Sequence, residues 1–303
     1  MKPSSSNNQP LNSPSARKMH PLFYLHIPKA AGSTLLSIIE RNYEFEEMLV
    51  NYNNDFRDPH KFLDDYGKSL SKNHKIKILC GHFGFGLHRS IDPQSRYLSM
   101  LRNPVSRVYS LYKHLRRNPR SIVKNLDQIS IDQFLDQGLF IDADNGQVRR
   151  LCGIENVNYR IPFGGCSNEM LDLAKDNLKS YCTFGLCEYF DASILYFQNC
   201  FDWKTINYNI RNNAPKSDNS KSLSNSNVEL IKQVNHLDIQ LYDYAIELFK
   251  EKLNVLNIDI KSNLQDHSSS VLWSKKEEFR SKLNSSRRAI NKRINILKSI
   301  IKN

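Results

Sequence analysis

Residues 28–34 place a lysine, a glycine and two hydroxyl side chains between an apolar run and a helical pattern. Gly32 opens onto the predicted helix, and the free N–H groups and dipole at a helix N-terminus favour an anion. Lys29 adds a positive charge, and Ser33 and Thr34 add hydroxyl donors. The loop is not a Walker A motif, because it has no Gly-Lys-Ser/Thr and Lys29 precedes the glycine. It predicts a phosphate-type site, with an ordinary strand–helix turn as the alternative.

Arg102 and Ser110 form a second candidate pair for binding a phosphate. Arg102 follows an apolar run, at the position where a strand should end, and a guanidinium binds a phosphate through two parallel hydrogen bonds. Ser110 lies two turns into a helix that is predicted to begin at Pro104. The two side chains are therefore placed to grip one phosphate from two sides. The alternative for either residue alone is an ordinary surface side chain.

The elements that must position these residues are strands that alternate with helices. Strands are predicted at 22–27, 76–80 and 97–101, with weaker patterns at 181–186 and 203–207. Helices are predicted at 35–39, from Pro104 onward, and at 130–137, 168–179, 191–200 and 227–252. This alternation indicates a mostly parallel sheet covered on both faces, the three-layer α/β/α class. Such sheets bind ligands at the carboxyl ends of their strands, where Lys29, His82 and Arg102 lie.

Composition and charge exclude several other classes of protein. The chain has 303 residues, with 40% hydrophobic and 24% charged residues, which is near ordinary globular usage. Its net charge of +12 lies mainly in residues 261–303, which hold 11 Lys/Arg against three acids, while residues 20–260 are nearly balanced. The balanced middle argues against a nucleic-acid partner. The six cysteines form no Cys-x-x-Cys and no zinc-type spacing, so we expect free thiols and no metal site.

Local composition divides the chain into three parts. Residues 1–19 are rich in Ser, Asn and Pro and predict a disordered segment, residues 20–260 predict the folded domain, and residues 261–303 predict a basic helical extension. For the extension we consider docking on an anionic membrane, pairing with another subunit, capture of an acidic polymer, or a solvated tail. Without a window of transmembrane length or a secretory apolar region, we expect a cytoplasmic protein, with peripheral membrane contact if the extension docks.

Four segments in order resemble the sulfotransferases that use 3′-phosphoadenosine 5′-phosphosulfate (PAPS). FYLHIPKAAGSTLLSII at 23–39 is similar to the 5′-phosphosulfate loop of that family, and YLSMLRNPVSRVYSLYKHL at 97–115 is similar to its 3′-phosphate-binding strand and helix. CGHFGFGLH at 80–88 and DNGQVRRLCG at 144–153 resemble the branch that holds heparan sulfate 2-O- and 6-O-sulfotransferases and bacterial carbohydrate sulfotransferases. The resemblance implies an α/β/α fold related to nucleotide kinases, with a P-loop-like 5′-phosphosulfate loop.

The resemblance also implies roles for the residues of the two phosphate motifs. Lys29 would contact the oxygen that bridges the phosphate and the sulfate. Ala30 stands where the usual family loop has Thr, so one hydroxyl donor is missing. Backbone N–H groups supply most of the cradle, so we expect binding to persist. The 5′-phosphosulfate would be held by Lys29, Ala31, Gly32, Ser33 and Thr34, and the 3′-phosphate by Arg102 and Ser110.

His82 is the candidate general base for an acceptor hydroxyl, whose pKa lies far above 7. In the branch that this chain resembles, a histidine in this region is the proposed general base, and it often lies within a His-Gly-His sequence. Here Cys80 takes the first of those three positions. The alternative is a structural histidine that caps the loop. His88 is the second candidate base. We interpret His26 as a core histidine and His114 as a packing or solvent-facing side chain.

Arg149 and Arg150 are the candidate contacts with the acceptor or the nucleotide side of the cleft. The alternative for both is an ion pair with Asp142 or Asp144. Glu188 either hydrogen-bonds near the site or caps a helix. Each of these residues follows or lies within one of the segments that carry the resemblance.

Three functional hypotheses follow from these motifs. The first is transfer of a sulfuryl group from PAPS to a hydroxyl, on a carbohydrate, by in-line displacement with a histidine base and no metal. The second is a nucleotide-dependent kinase on the same fold, which would require ATP and magnesium. The third is a protein that binds a nucleotide or a glycan without turnover. The position of Lys29 before the glycine argues against the kinase.

Overall fold

The computed structural model describes residues 20–51, 75–117, 126–153, 161–208 and 223–258. The predicted disordered segment 1–19 and the predicted extension 261–303 lie outside the described residues.

Five strands and nine helices make up the described part of the chain. The strands are β1 (Leu22–Leu25), β2 (Met48–Asn51), β3 (Ile78–Gly81), β4 (Tyr97–Leu101) and β5 (Cys182–Leu186). The helices are α1 (Gly32–Asn42), α2 (His88–Ile91), α3 (Pro104–Arg117), α4 (Ile131–Asp136), α5 (Gly146–Cys152), α6 (Asn168–Tyr181), α7 (Phe190–Phe201), α8 (Asn225–Val234) and α9 (His236–Val255).

The strands form one parallel sheet in the order β2-β3-β1-β4-β5. Every residue of β1, β3 and β4 is buried, so side chains that point to opposite faces are both covered. The register pairs Leu25 with Gly81 and with Ser99, so β1, β3 and β4 end near one another. The predicted three-layer α/β/α class is confirmed, and its ligand edge is the edge where these strands end.

Two of the secondary-structure elements predicted from the sequence, one strand and one helix, differ in the structure. Residues 203–207 form no strand, because Trp203 packs on the rings of Phe197 and Phe201 and the following backbone is bonded elsewhere. The N–H groups of Lys204 and Thr205 both donate to Asn42 Oδ1 instead of to a strand. The helix predicted at 227–252 is two helices, α8 and α9. They separate at a buried asparagine whose side chain bonds to the loop before α5.

A second, smaller hydrophobic core lies beside the main one around the sheet. It forms where α3 packs against α4 and α8. This packing fixes α3, which begins directly after β4, by contacts that do not involve the sheet core. The buried members of this core are Val108, Leu111, Tyr112, Leu115, Leu126, Ile131, Phe134, Leu135, Ala143 and Ile231.

Candidate active site

The loop between β1 and α1 has a tightly constrained backbone. Lys29 has φ 69° and Ala31 has φ 54°, both in the left-handed region that non-glycine residues rarely adopt. A Cβ added to Gly32 would lie 1.6 Å from His26 Nε2, so this position accepts only glycine while the imidazole stays in place. Ala31 is the N-cap of α1 and has no polar side chain to cap it. The loop therefore presents backbone and a helix N-terminus at the edge of the sheet, as an anion site requires.

Arg102 joins this loop to the end of β4. Its guanidinium NH1 donates to the carbonyl oxygen of Lys29 at 3.0 Å. The backbone of Arg102 is fixed from the other side by Gln147, whose Oε1 accepts from the Arg102 N–H and whose Nε2 donates to its carbonyl, both at 2.9 Å. Lys29 and Arg102, which follow two different strands in the sequence, are therefore adjacent in the structure.

Lys29 lies in a cluster of positive charge. Burial lowers its pKa, and the charges of Arg117 and Arg102 lower it further. Partial burial and the charges of Lys29 and Arg117 likewise lower the pKa of His114. A lysine in such surroundings is poorly solvated and close to like charge, so a bound anion would relieve both costs.

Ser110, His114 and Arg117 lie at helical spacing along the side of α3 toward this cluster. Residues four and three apart on a helix share one face, and the electrostatic effects of Lys29 reach both His114 and Arg117. The sequence predicts Ser110 at this site and favours a packing or solvent-facing side chain for His114, and it does not single out Arg117. The spacing of seven residues from Ser110 is the signal that could have identified Arg117.

His82 follows β3 and has a defined tautomer. Its Nδ1 lies 2.8 Å from the carbonyl oxygen of His26, and a carbonyl only accepts, so Nδ1 carries the proton. Nε2 of the neutral ring is then the unprotonated nitrogen. The rings of His26 and His82 are 4.4 Å apart, and His26 is stacked on Tyr24 with ring planes at 10°. His26 is buried, as a core histidine should be, but it also supports both His82 and Gly32.

The pKa of His82 is lowered to about 4, chiefly because burial penalises the imidazolium. The charge of Arg150 lowers it further, while the hydrogen bond to His26 and the charge of Asp142 raise it. The pKa of His26 is lowered well below its usual value by burial and by His82, Arg150 and Lys29. Both rings are therefore neutral at pH 7, which is the state that a general base needs.

Arg149 and Arg150 are both in ion pairs, which was the alternative interpretation for them. Arg150 NH2 lies 2.8 Å from a carboxylate oxygen of Asp142, and Arg149 NH2 bonds to the carboxylate of Asp144. Arg149 is fully buried and also donates to the carbonyls of Ile161 and Pro162, so the hydrogen bonds that the structure shows for its guanidinium are internal to the fold. Arg150 belongs to the site in a different way, because its NH1 donates to the carbonyl of His82.

His88, the second candidate base, lies away from the other predicted site residues. It is buried, and its Nδ1 is 2.9 Å from the hydroxyl of Tyr97, the first residue of β4. Its ring also packs on Tyr181, the residue before β5. Both neighbours are at the amino ends of their strands, opposite the edge that carries Lys29.

Two carboxylates, the buried one of Asp238 and the exposed one of Glu188, hold the helices around this edge. Asp238 on α9 accepts hydrogen bonds from the N–H groups of Gln147 and Val148, and so caps the N-terminus of α5. Its carboxylate lies 3.5 Å from the guanidinium of Arg107. Glu188 accepts from the N–H of Asn103 and from a tyrosine hydroxyl of α9, so it hydrogen-bonds beside the site. These contacts tie α5, which carries Gln147 and Arg150, to the sheet edge.

The described residues contain neither a cluster of metal ligands nor a membrane-spanning helix. No group of three or more His, Cys, Asp or Glu side chains in them is arranged to hold a metal ion. No helix among residues 20–258, where they are described, has both the length and the apolar character that crossing a bilayer requires.

Comparison with known proteins gives the family. The family described as Galactose-3-O-sulfotransferase matches residues 2–259, most of the chain. The chain belongs to this family. Membership in the Galactose-3-O-sulfotransferase family agrees with the motifs at 23–39 and 97–115, which resemble PAPS-dependent sulfotransferases, and with the placement of Lys29 and Arg102 side by side.

Curated relatives of this member of the Galactose-3-O-sulfotransferase family are heparan-sulfate 6-O-sulfotransferases. Heparan-sulfate 6-O-sulfotransferase 3 of Mus musculus is 29% identical over 181 residues, which cover 52% of this chain and 38% of the relative. Heparan-sulfate 6-O-sulfotransferase 1 of Homo sapiens is 28% identical over 182 residues, or 52% and 44% of the two chains. The match thus spans less than half the length of each relative. A crystal structure of mouse sulfotransferase SULT7A1 complexed with PAP is similar at a TM-score of 0.39 and 16% identity, over 88% of this chain and 89% of that one.

Proposed function

We propose that this protein transfers a sulfuryl group from PAPS to a hydroxyl of a carbohydrate, with residues 20–260 as the catalytic domain. The observation that carries the proposal is the meeting of Lys29, Arg102 and His82 at the carboxyl ends of three adjacent parallel strands. Cations for a donor that is anionic at both ends and one neutral imidazole for a hydroxyl are the groups that this reaction needs.

The chain's own residues suit the two ends of the donor. The backbone of Ala31 and Gly32, the hydroxyls of Ser33 and Thr34 and the ammonium of Lys29 would hold the 5′-phosphosulfate. Arg102 and Ser110 would hold the 3′-phosphate, because Arg102 is fixed at the end of β4 and Ser110 lies on the helix that follows. Gly32 keeps the loop backbone in close contact with the imidazole of His26, because a Cβ at this position would overlap that ring.

In the proposed reaction, the acceptor oxygen forms a bond to sulfur as the bond from sulfur to the bridging oxygen breaks. The hydroxyl proton passes to Nε2 of His82, which is unprotonated because Nδ1 holds the proton. Lys29 and the N-terminus of α1 stabilise the negative charge on the departing phosphate oxygen. The product of the donor is adenosine 3′,5′-bisphosphate. The geometry requires no metal, because fixed positive charge already faces the leaving group.

The proposed acceptor is a glycan. The name of the family contains galactose, and the names of the curated relatives contain heparan sulfate. Candidate acceptors for this chain are therefore galactose-terminated oligosaccharides and heparan-type polysaccharides, and an assay should include both.

The first experiment is thermal unfolding of the full chain with adenosine 3′,5′-bisphosphate, with ATP–magnesium, and in buffer. A ligand at 100 times its dissociation constant stabilises a protein by about 2.7 kcal/mol, so we expect a clear rise in Tm with the bisphosphate only. Arg102→Ala and Lys29→Ala should lose that rise. Arg96→Ala and Lys204→Ala are matched controls, because these residues are exposed and bond to Ser180 and Asp202 away from the cluster.

The second experiment is transfer of labelled sulfate from PAPS to the two classes of glycan. We expect transfer to one class, and loss of transfer in Lys29→Ala and His82→Ala with the fold intact. A rise in Tm with ATP–magnesium only would support the kinase hypothesis instead. Binding of the bisphosphate without transfer to any glycan, and with His82→Ala unchanged, would support a protein that binds without turnover.

A further inference from the structure

Arg150 makes two contacts with the loop that carries His82. Its NH1 donates to the carbonyl oxygen of His82 at 3.1 Å. Its own carbonyl oxygen accepts from the N–H of Phe85 at 2.7 Å. The loop after β3 is therefore attached to α5 at two points three residues apart, and both attachments belong to one residue.

The side chain of Arg150 is itself fixed by a buried carboxylate. Its NH2 donates to both oxygens of Asp142, at 2.9 and 2.8 Å. Both residues are buried, so water does not compete for these bonds. The main-chain oxygen of Asp142 is held in turn by NH2 of Arg107, at 2.7 Å, on α3. A continuous set of hydrogen bonds thus runs from α3 through Asp142 and Arg150 to His82.

Only one of the two neighbouring arginines has this geometry. Arg149 is equally buried and ion-paired, but its donors go to Asp144, Ile161 and Pro162 and not to the His82 loop. The pair Arg149–Asp144 therefore provides a control within the same helix for a purely structural ion pair.

We propose that Arg150, held by Asp142, is a positioning residue that fixes the peptide of His82 and orients its imidazole toward the acceptor. The inference rests on the proposed role of His82 as the base. A guanidinium suits the task because its rigid fork bonds to a carboxylate and a carbonyl at once, which a lysine cannot do. Misplacing a reacting group by about 1 Å costs on the order of 100-fold in rate, so a second residue that fixes the base has a measurable effect.

The contacts of Arg150 and Asp142 also place charged groups around the imidazole of His82. The charged and titratable groups that face it are Arg150 on α5, Asp142 in the loop before α5, Lys29 in the loop after β1, and His26 at the end of β1. Arg150 and Lys29 lower the pKa of His82, and Asp142 raises it. Removing Arg150 and removing the charge of Asp142 should therefore shift that pKa in opposite directions.

The test uses the full chain labelled with ¹³C-histidine and the variants Arg150→Met, Arg150→Lys and Asp142→Asn, with Arg149→Met as control. The His82 resonance is assigned by its loss in His82→Gln. We expect the pKa of His82 to rise in Arg150→Met, to fall in Asp142→Asn and to stay in Arg149→Met. Conversion of PAPS in the presence of the two glycan classes should fall on the order of 100-fold in Arg150→Met, with affinity for adenosine 3′,5′-bisphosphate retained.

Several results would overturn the proposal. One is an Arg150→Met protein whose His82 pKa and turnover equal those of the wild type. Another is an Arg149→Met protein that changes both quantities as much as Arg150→Met does. If Arg150→Met does not fold, Arg150→Lys decides: it keeps the charge, so the pKa should stay while turnover falls, and wild-type turnover contradicts the inference. Wild-type turnover in His82→Gln would refute the base itself, which is a separate failure.

Discussion

His82 should make the free energy of unfolding of this protein decrease at acidic pH, and replacing this one residue should remove its contribution to that decrease. Its pKa is lowered from the usual 6.5 to about 4, mainly by burial. In the unfolded chain the imidazole takes up a proton as the pH falls through 6.5, while in the folded protein it does so only near 4. The unfolded state therefore binds more protons in this window, and the free energy of unfolding decreases as the pH falls from 7.5 toward 4.

The size of this effect follows from the two pKa values. With a pKa of 6.5 unfolded and about 4 folded, the contribution of His82 is negligible at pH 7.5. Proton linkage then predicts a loss of about 1.4 kcal/mol by pH 5.5 and about 2.5 kcal/mol by pH 4.5. That loss is a large part of the 5–15 kcal/mol that stabilises a typical domain. A glutamine at this position does not titrate, so it should show none of this contribution.

The assay is urea unfolding of the wild type and of His82→Gln at pH 7.5, 6.5, 5.5 and 4.5. The difference between the two free energies of unfolding is the informative quantity, because titration of other groups largely cancels in it. We expect the wild type to lose about 2.5 kcal/mol relative to the variant between pH 7.5 and 4.5. A difference that stays constant across this range would mean that the pKa of the imidazole is not lowered in the folded protein, and would refute this reasoning.

Three further substitutions test the architecture of the site. Gly32→Ala should abolish binding of adenosine 3′,5′-bisphosphate, measured by calorimetry, because its Cβ would overlap His26; tight binding would contradict the geometry of the loop. Asp238→Ala should lower the free energy of unfolding by about 3–5 kcal/mol in urea, because it leaves a buried guanidinium unpaired and α5 uncapped; a loss below about 1 kcal/mol would show that the pair is not buried. Gln147→Met should weaken binding of the bisphosphate while it changes Tm only slightly, because it removes both hydrogen bonds that fix the backbone of Arg102. Unchanged affinity would show that these two hydrogen bonds do not position Arg102 for binding.

Much of the fold could be predicted from local patterns. The four confirmed strands are short, mainly apolar runs, three of which are bounded by Pro28, Gly81 or Arg102, and the predicted bounds agree with the structure to within a few residues. Strand β2 was not predicted. It is a four-residue strand of ordinary composition at the edge of the sheet, with β3 as its neighbour, and such a strand carries little signal of its own. The strand predicted at 203–207 is absent for a different reason, because a short local pattern does not specify the hydrogen-bond partners of its backbone.

Local sequence patterns are enough to place Lys29, Arg102 and His82 at the carboxyl ends of strands, and therefore on one edge of the sheet. This works because a parallel sheet brings all those ends together whatever the strand order. The contact of Arg150 with the His82 loop, which Arg149 does not make, is visible only in the folded structure. Neighbouring residues on a helix point in different directions, and their partners come from distant segments that no local spacing encodes.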